Sequence, residues 1–169
     1  MPGRFQNPFV IEGDPKVSIL IPNKDHTEDL NKCVTSILER STWKNIQIIV
    51  IENNSEKEET FHYYEELEKR YPQAKVVTWD GPFNYSAINN FGAKYADGDY
   101  FLLLNNDTEV ITPEWLENMM GYCQREDVGI VGAKLLYPDN TVQHAGVVVG
   151  IAGFAGHILT GYDRYATDT

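Results

Sequence analysis

Three small polar residues, Asn105, Asn106 and Asp107, directly follow an apolar run and are well suited to bind a ligand. The run, residues 101–104, predicts a buried strand. In open parallel α/β sheets, ligands bind at the carboxyl ends of the strands. Asp107 would then stand where a carboxylate meets a cation and the phosphates that it neutralises. Because Asn and Asp are also common where strands simply stop, this segment alone leaves an ordinary turn equally open.

Two earlier apolar runs, at residues 17–21 and 46–51, end in similar polar clusters. The members of these clusters are Asn23, Asp25, Glu52, Asn53 and Asn54, and Pro22 ends the first run. If all three runs are strands of one parallel sheet, their clusters converge on one edge. Carboxylates at that edge suit ribose hydroxyls or a hard divalent cation, Mg²⁺ or Mn²⁺.

Strand and helix patterns alternate along the chain. The strands are predicted at residues 17–21, 46–51, 75–79, 100–104, 128–137 and 142–151. An amphipathic helix is predicted around residues 30–38, an acidic one over 61–71 with Phe61 facing inward, and others over 85–96 and from Thr112. This order predicts an α/β fold, a mostly parallel sheet with helices on both faces.

Composition and missing motifs exclude several classes of protein. The net charge of -11 argues against a general nucleic-acid binder, so no nucleic-acid partner is expected. The chain has no P-loop, no G-x-S-x-G elbow and no G-x-G-x-x-G after its first strand. No apolar stretch reaches the roughly 18 residues of a membrane span, and no signal peptide opens the chain. A cytoplasmic protein is therefore predicted.

Four motifs in order make the sequence recognisable. They lie at residues 17–25, 49–55, 83–90 and 104–110. In this arrangement the chain resembles glycosyltransferase family 2, more narrowly the rhamnosyltransferase-like bacterial branch that builds cell-surface polysaccharides. The resemblance runs from about residue 16 to about residue 158. It implies a GT-A (Rossmann-like) fold, with a nucleotide-sugar-binding domain at 16–137 and the start of an acceptor-side region at 138–169. Residues 1–15, which are punctuated by Pro and Gly, are expected to form an N-terminal arm.

The resemblance also implies roles for individual residues. Those expected to line the site of the sugar-nucleotide donor are Pro22, Asn23, Asp25, Glu52, Asn54, Asn90, Asn105 and Asn106. Asp107 matches the last acid of the family's Asp-x-Asp motif, which coordinates the Mn²⁺ or Mg²⁺ that bridges the diphosphate. Asn105 stands where the motif has its first Asp. This replacement removes one negative charge and should weaken metal binding if that position is a ligand.

The implied activity is metal-assisted, inverting transfer of a sugar from a UDP-, dTDP- or GDP-sugar to a hydroxyl of a polysaccharide or glycan acceptor. The family's catalytic base is an Asp beyond the region covered here, and no base can be assigned in this chain, which we expect to be a truncated donor-binding portion. The full-length enzyme could associate peripherally with a membrane. His144 is either an additional metal ligand or, more simply, a structural histidine at the start of a strand.

Two other classes of protein remain open at this point. A signalling module of the receiver type also has carboxylates at strand ends, but it needs paired acids after the first strand, where Pro22 and Asn23 stand. A catalytically inactive sugar-nucleotide-binding or interaction domain is the stronger alternative, because the first motif acid and the base are both missing.

Overall fold

A computed structural model describes residues 10–150 and 153–165 of the chain. These residues form two compact units. One unit comprises residues 12–116, and the other contains the described residues from 117 onward together with residues 10 and 11. Most of the predicted N-terminal arm therefore lies outside the described residues.

The first unit contains the alternating strands and helices. In chain order they are β1 (Val17–Asn23), α1 (Thr27–Arg40), β2 (Ile46–Glu52), α2 (Glu58–Arg70), β3 (Ala74–Thr78), α3 (Tyr85–Gly92), a 3-10 turn (Ala93–Tyr95) and β4 (Tyr100–Leu103), and α4 (Trp115–Cys123) follows. The four strands are parallel neighbours in the order β3-β2-β1-β4, which confirms the predicted parallel α/β sheet. Among the helices that the structure describes, none has both the length and the apolar character of a membrane span.

The strand register brings the polar strand ends level with one another. Asn23, the last residue of β1, pairs with Glu52, the last residue of β2. Glu52 in turn pairs with Thr78 at the end of β3, while Leu20 of β1 pairs with Leu103 of β4. The loops that leave these strands consequently start from the same edge of the sheet.

Along β1 and β2, both faces of the sheet are buried under apolar side chains. Successive strand residues point to opposite faces. One face is filled by the cluster Leu20, Ile49, Ile51, Val77 and, from α3, Ile88. The alternate strand residues, also fully buried, are Ile19, Ile21, Ile48 and Val50. The buried stripe that α1 contributes is the one predicted from its spacing, with Leu30, Cys33, Val34 and Ile37.

Some details of the first unit differ from the prediction. Phe61 on α2 is 46% exposed rather than inward-facing. β4 is an edge strand of the described sheet, and its Phe101 and Leu103 are 57% and 51% exposed, so its predicted burial is only partial. The third helix ends at Gly92, where a 3-10 turn takes over, and α4 begins at Trp115 instead of at the predicted Thr112–Pro113 start.

The second unit contains short antiparallel strands. β5 (Leu135–Leu136) pairs with β6 (Val142–His144), and β7 (Val147–Val149) pairs with β8 (Ala155–His157). The prediction of a continuous strand over 128–137 was wrong, since only its last part pairs. The strand predicted over 142–151 is split at Gly146, whose φ of 137° interrupts it, and residue 151 lies outside the described residues.

Gly98 provides a test of how β4 is held against β1. A Cβ added at Gly98 would lie 2.7 Å from the Lys16 carbonyl oxygen and 2.8 Å from the Ser18 amide nitrogen. Because backbone atoms cannot move aside cheaply, we expect Gly98→Ala to lower the free energy of unfolding by about 1–3 kcal/mol. Urea denaturation would measure this change. The control is Gly132→Ala, whose added Cβ meets no atom within 4 Å; equal effects of the two variants would contradict the prediction.

Candidate functional site

A chain of hydrogen bonds joins the ends of three strands. The Asn106 side-chain amide, just after β4, donates to Asn23 Oδ1 at 2.6 Å. Asn23 Nδ2 donates to the Tyr64 hydroxyl at 2.8 Å, and that hydroxyl donates to Glu52 Oε2 at 2.6 Å. Asn23 and Glu52 are buried. The structure therefore brings together residues from three polar clusters that the sequence placed on one edge.

Glu52 is largely engaged within the protein. Its Oε1 accepts from the Ser55 amide at 2.5 Å, and its Oε2 accepts from the Ser55 hydroxyl at 2.5 Å as well as from Tyr64. Burial raises the pKa of Tyr64, and its hydrogen bond to Glu52 raises it further, so the phenol stays protonated and remains the donor at neutral pH. These contacts make Glu52 an organiser of the β2–α2 loop, and its contact with a nucleoside stays a prediction.

Asp25 caps the start of α2. Its Oδ1 accepts from the Glu56 and Lys57 amides, each at 3.1 Å, and from the Thr60 hydroxyl at 3.2 Å. Partial burial acts to raise the pKa of the Asp25 carboxyl, but the hydrogen bonds from the two amides outweigh it and hold the pKa below its usual value. An ionised carboxylate also suits the positive end of the helix dipole. Asp25 thus fastens the β1–α1 loop to α2.

The loop after β3 is tied to the same edge by asparagine side chains. Asn53 and Asn54 donate to the Gly81 carbonyl oxygen at 3.1 and 3.0 Å. Pro22 is half-buried in β1, where it pairs with Ile51. The three loops that follow β1, β2 and β3 are consequently cross-linked by hydrogen bonds, and Asn54 and Pro22 keep their donor-binding roles as predictions.

Of the two adjacent asparagines on α3, the structure buries Asn89 and leaves Asn90 exposed. Asn89 Nδ2 donates to the Tyr85 carbonyl oxygen at 2.8 Å, while its Oδ1 has no partner among the described residues. The Oδ1 atom is itself buried, and a buried acceptor without a donor costs about 1–3 kcal/mol. From the sequence, only Asn90 was expected to line the donor site. The spacing of Ile88, Asn89 and Gly92 places all three on one face of α3, and this pattern could have predicted that Asn89 is buried.

Asp107 stands apart from the other acids of this edge. It lies in the turn after β4 and is exposed, as is Asn105. Its carboxylate forms no hydrogen bond or ion pair with any residue that the structure describes. Burial raises the pKa of the neighbouring Cys33 thiol, and the charge of Asp107 adds to the increase, so that thiol stays neutral. Asp107 is therefore an acid of this turn whose carboxylate is unpaired within the part of the chain that the structure describes.

The Asp107 carboxylate suits a cation whose coordination is completed by the phosphates of a bound substrate. Within residues 10–150 and 153–165, no group of three or more His, Cys, Asp or Glu side chains is arranged to hold a metal ion. Mg²⁺ is typically bound through one or two carboxylates together with substrate phosphates, not by an all-protein cage. The exposed carboxylate of Asp107 supplies one such hard oxygen ligand, and the exposed Asn105 lies two residues before it in the chain.

His144 lies in the second unit. Its Nδ1 is 2.7 Å from Nδ1 of His157, so one ring donates and the other accepts. The two rings border a cavity of about 430 Å³ that is also lined by Leu135, Tyr137, Gln143 and Thr160. His144 therefore has a protein partner, and its role as an additional metal ligand stays a prediction.

The parallel sheet with polar loops at its carboxyl edge is an open α/β domain, and its match to a solved glycosyltransferase assigns it to the GT-A type. Among solved structures, the mannosyltransferase PcManGT from Pyrobaculum calidifontis, in complex with GDP-Man and Mn²⁺, superposes with a TM-score of 0.63 at 14% identity. The match covers 72% of this chain and 37% of that one. It confirms the predicted fold.

The chain belongs to glycosyl transferase family 2, whose family model matches residues 18–148. This match confirms the resemblance and excludes the receiver-type module. The "O-antigen biosynthesis protein RfbC" of Myxococcus xanthus is 46% identical over 92% of this chain, and the "Uncharacterized protein y4gI" of Sinorhizobium fredii (strain NBRC 101917 / NGR234) is 43% identical over 93%. The chain spans only 12% and 17% of the lengths of these two relatives.

The hydroxyl of Tyr64 can be tested directly. Tyr64→Phe would leave the buried Asn23 amide and the Glu52 carboxylate each without one partner. We therefore expect the free energy of unfolding to fall by about 1–3 kcal/mol, measured by urea denaturation. Tyr63→Phe is the matched control, because the Tyr63 hydroxyl makes only an exposed 3.5 Å contact with Asn31. A Tyr64→Phe protein as stable as this control would show that the buried bridge contributes little.

Proposed function

We propose that this chain binds the donor of a glycosyltransferase reaction, in which a sugar passes from a nucleoside diphosphate to a hydroxyl of a glycan acceptor. The observation that carries the proposal is the free, exposed carboxylate of Asp107 at the carboxyl edge of the sheet, next to the tethered Asn106. Family membership supports the same reaction class.

Asp107 is proposed to hold Mn²⁺ or Mg²⁺, with Asn105 as a neutral neighbour. When bound, the cation would offset the negative charge that develops on the departing diphosphate. The residues proposed to line the donor site are Pro22, Asn23, Asp25, Glu52, Asn54, Asn89, Asn90 and Asn106. Several of these already hold one another through hydrogen bonds, and a site whose groups are fixed in advance loses less entropy when a ligand binds.

The partners are proposed from the comparisons. A solved neighbour holds GDP-Man and Mn²⁺, so GDP is the first nucleotide to test, with UDP and dTDP beside it. A relative named for O-antigen biosynthesis favours a bacterial surface polysaccharide as the acceptor. Inverting stereochemistry, a cytoplasmic location and peripheral membrane association of the full-length enzyme complete the proposal. We assign no catalytic base.

Binding of the nucleotide should depend on the metal through Asp107. By calorimetry, we expect one of GDP, UDP or dTDP to bind at least about tenfold more tightly with Mn²⁺ than without it, and Asp107→Asn to abolish that gain. Asp97→Asn is the control, because Asp97 is exposed, precedes β4 at the opposite edge of the sheet and pairs only with Lys16. Equal Mn²⁺ dependence in all three proteins would overturn the proposed role of Asp107.

Asn105 allows a test by gain of function. Asn105→Asp would restore a second carboxylate two residues before Asp107, and we expect it to tighten Mn²⁺ binding by about tenfold. Titration of free Mn²⁺ by electron paramagnetic resonance would measure the change. Unaltered affinity would mean that the side chain at position 105 does not face the cation.

A catalytically inactive sugar-nucleotide-binding or interaction domain is the competing proposal, and the amide at Asn105 favours it. The two differ in their products. If the full-length protein transfers a sugar and Asp107→Asn abolishes the transfer, the proposal of an active glycosyltransferase is supported. Metal-dependent nucleotide binding without transfer to any glycan acceptor supports the inactive domain.

A further inference from the structure

One face of α1 makes repeated contacts with the segment that carries Asp107. We infer that Cys33, Ser36 and Arg40 on this face, together called the α1 clasp, are positioning residues that hold the turn segment, residues 105–110, in the geometry needed to bind a cation. The inference rests on the metal-binding role proposed above for Asp107.

The three clasp residues share one side of the helix. Cys33, Ser36 and Arg40 are spaced at i, i+3 and i+7, which places them one above another along α1. Cys33 and Ser36 are 0% and 4% exposed. Two polar side chains in a largely apolar, buried stripe call for hydrogen-bond partners. The Ser36 hydroxyl donates to the Cys33 carbonyl oxygen at 2.9 Å within α1, and the turn segment supplies the other partners.

Cys33 contacts the turn segment on both sides of Asp107. Its Sγ donates to the Asn105 carbonyl oxygen at 3.7 Å and lies 3.6 Å from the Thr108 hydroxyl. The Thr108 hydroxyl also donates to the same Asn105 carbonyl at 3.0 Å. A closed set of contacts therefore joins the residue before the turn to the residue after it.

Ser36 and Arg40 hold the distal end of the segment. The Val110 amide donates to Ser36 Oγ at 3.0 Å, and the Val110 carbonyl oxygen accepts from Arg40 Nη1 at 2.8 Å. Arg40 also forms an ion pair with Glu109, with 2.6 Å between Nη2 and Oε1. Both backbone polar groups of the buried Val110 are thus satisfied by α1, which fixes the direction in which the chain leaves the turn.

The clasp leaves the two central residues of the turn free of α1. The Asn106 side chain donates a hydrogen bond to Asn23 at the end of β1, and Asp107 is exposed. A turn that is held at its flanks and at Asn106 presents the Asp107 carboxylate in one place, so metal binding does not have to order the loop first. The ion pair with Arg40 also offsets the charge of Glu109, which leaves Asp107 as the uncompensated acid of the segment.

The test compares Mn²⁺ affinity among variants of the clasp, measured by electron paramagnetic resonance in the presence of GDP. We expect Arg40→Met and Cys33→Ala each to weaken Mn²⁺ binding by about 3- to 10-fold, because the turn must then be ordered on binding. Cys33→Ser, which keeps a hydrogen-bond donor, should stay within about twofold of the unmodified protein. Lys32→Met is the control, as Lys32 is exposed on the same helix.

Two further readouts separate positioning from general stability. Affinity for GDP in EDTA should not change in the clasp variants, and amide hydrogen exchange should accelerate within residues 105–110 rather than throughout the sheet. If Cys33→Ala fails to fold, Arg40→Met decides the matter, because the Arg40 side chain is 51% exposed and its loss should leave the core intact.

The outcomes distinguish the inference from the proposed function. If Asp107→Asn abolishes Mn²⁺ binding while Arg40→Met and Cys33→Ala keep full affinity, the α1 clasp is not a positioning device and the metal site stands. If Asp107→Asn binds Mn²⁺ as the unmodified protein does, or if neither protein binds it, the metal site is wrong and the inference falls with it. Selective loss of Mn²⁺ affinity in the clasp variants, with rescue by Cys33→Ser, supports both the metal site at Asp107 and the positioning role of the α1 clasp.

Discussion

The hydroxyl of Tyr64 is the interaction on which the rest of the site depends. It accepts from Asn23 and donates to Glu52, so one buried oxygen joins the ends of two neighbouring strands. Tyr64 belongs to α2, and Asp25 from the β1–α1 loop caps that helix. The position of α2 therefore sets the spacing of the loops, and Asn106 joins this network through Asn23.

The polar groups of this edge divide into those that build it and those left for a ligand. Asp25 and Glu52 each accept several hydrogen bonds from the protein, and both stabilise the neighbouring loops through these bonds. Asp107 has no such bond among the described residues. Acidic residues at equivalent strand ends thus have different roles, because each one contacts a different helix or loop.

The sequence was sufficient to predict the parallel sheet, because β1 and β2 are predominantly apolar and α1 carries a regular buried stripe. It also placed the polar clusters on one edge, since that follows from strand direction alone. The hydroxyl contacts of Tyr64 were out of reach, because the helical spacing only assigns this side chain to the core. Its partners are fixed by long-range packing, as Asn23 lies 41 residues away.

Where the prediction failed, local pattern and tertiary context disagreed. Residues 128–137 are rich in β-branched side chains, yet only Leu135–Leu136 pairs, because a strand also needs a neighbour. Asn90 was preferred to Asn89 on the strength of a motif, while burial on α3 singles out Asn89.

The amide at Asn105 has a consequence for how the domain responds to its surroundings. A diphosphate that approaches the turn in the absence of a cation meets one free carboxylate there instead of two, so the repulsion that it must overcome is smaller. Nucleotide affinity should then rise less steeply with the concentration of divalent ions than at a site with paired acids.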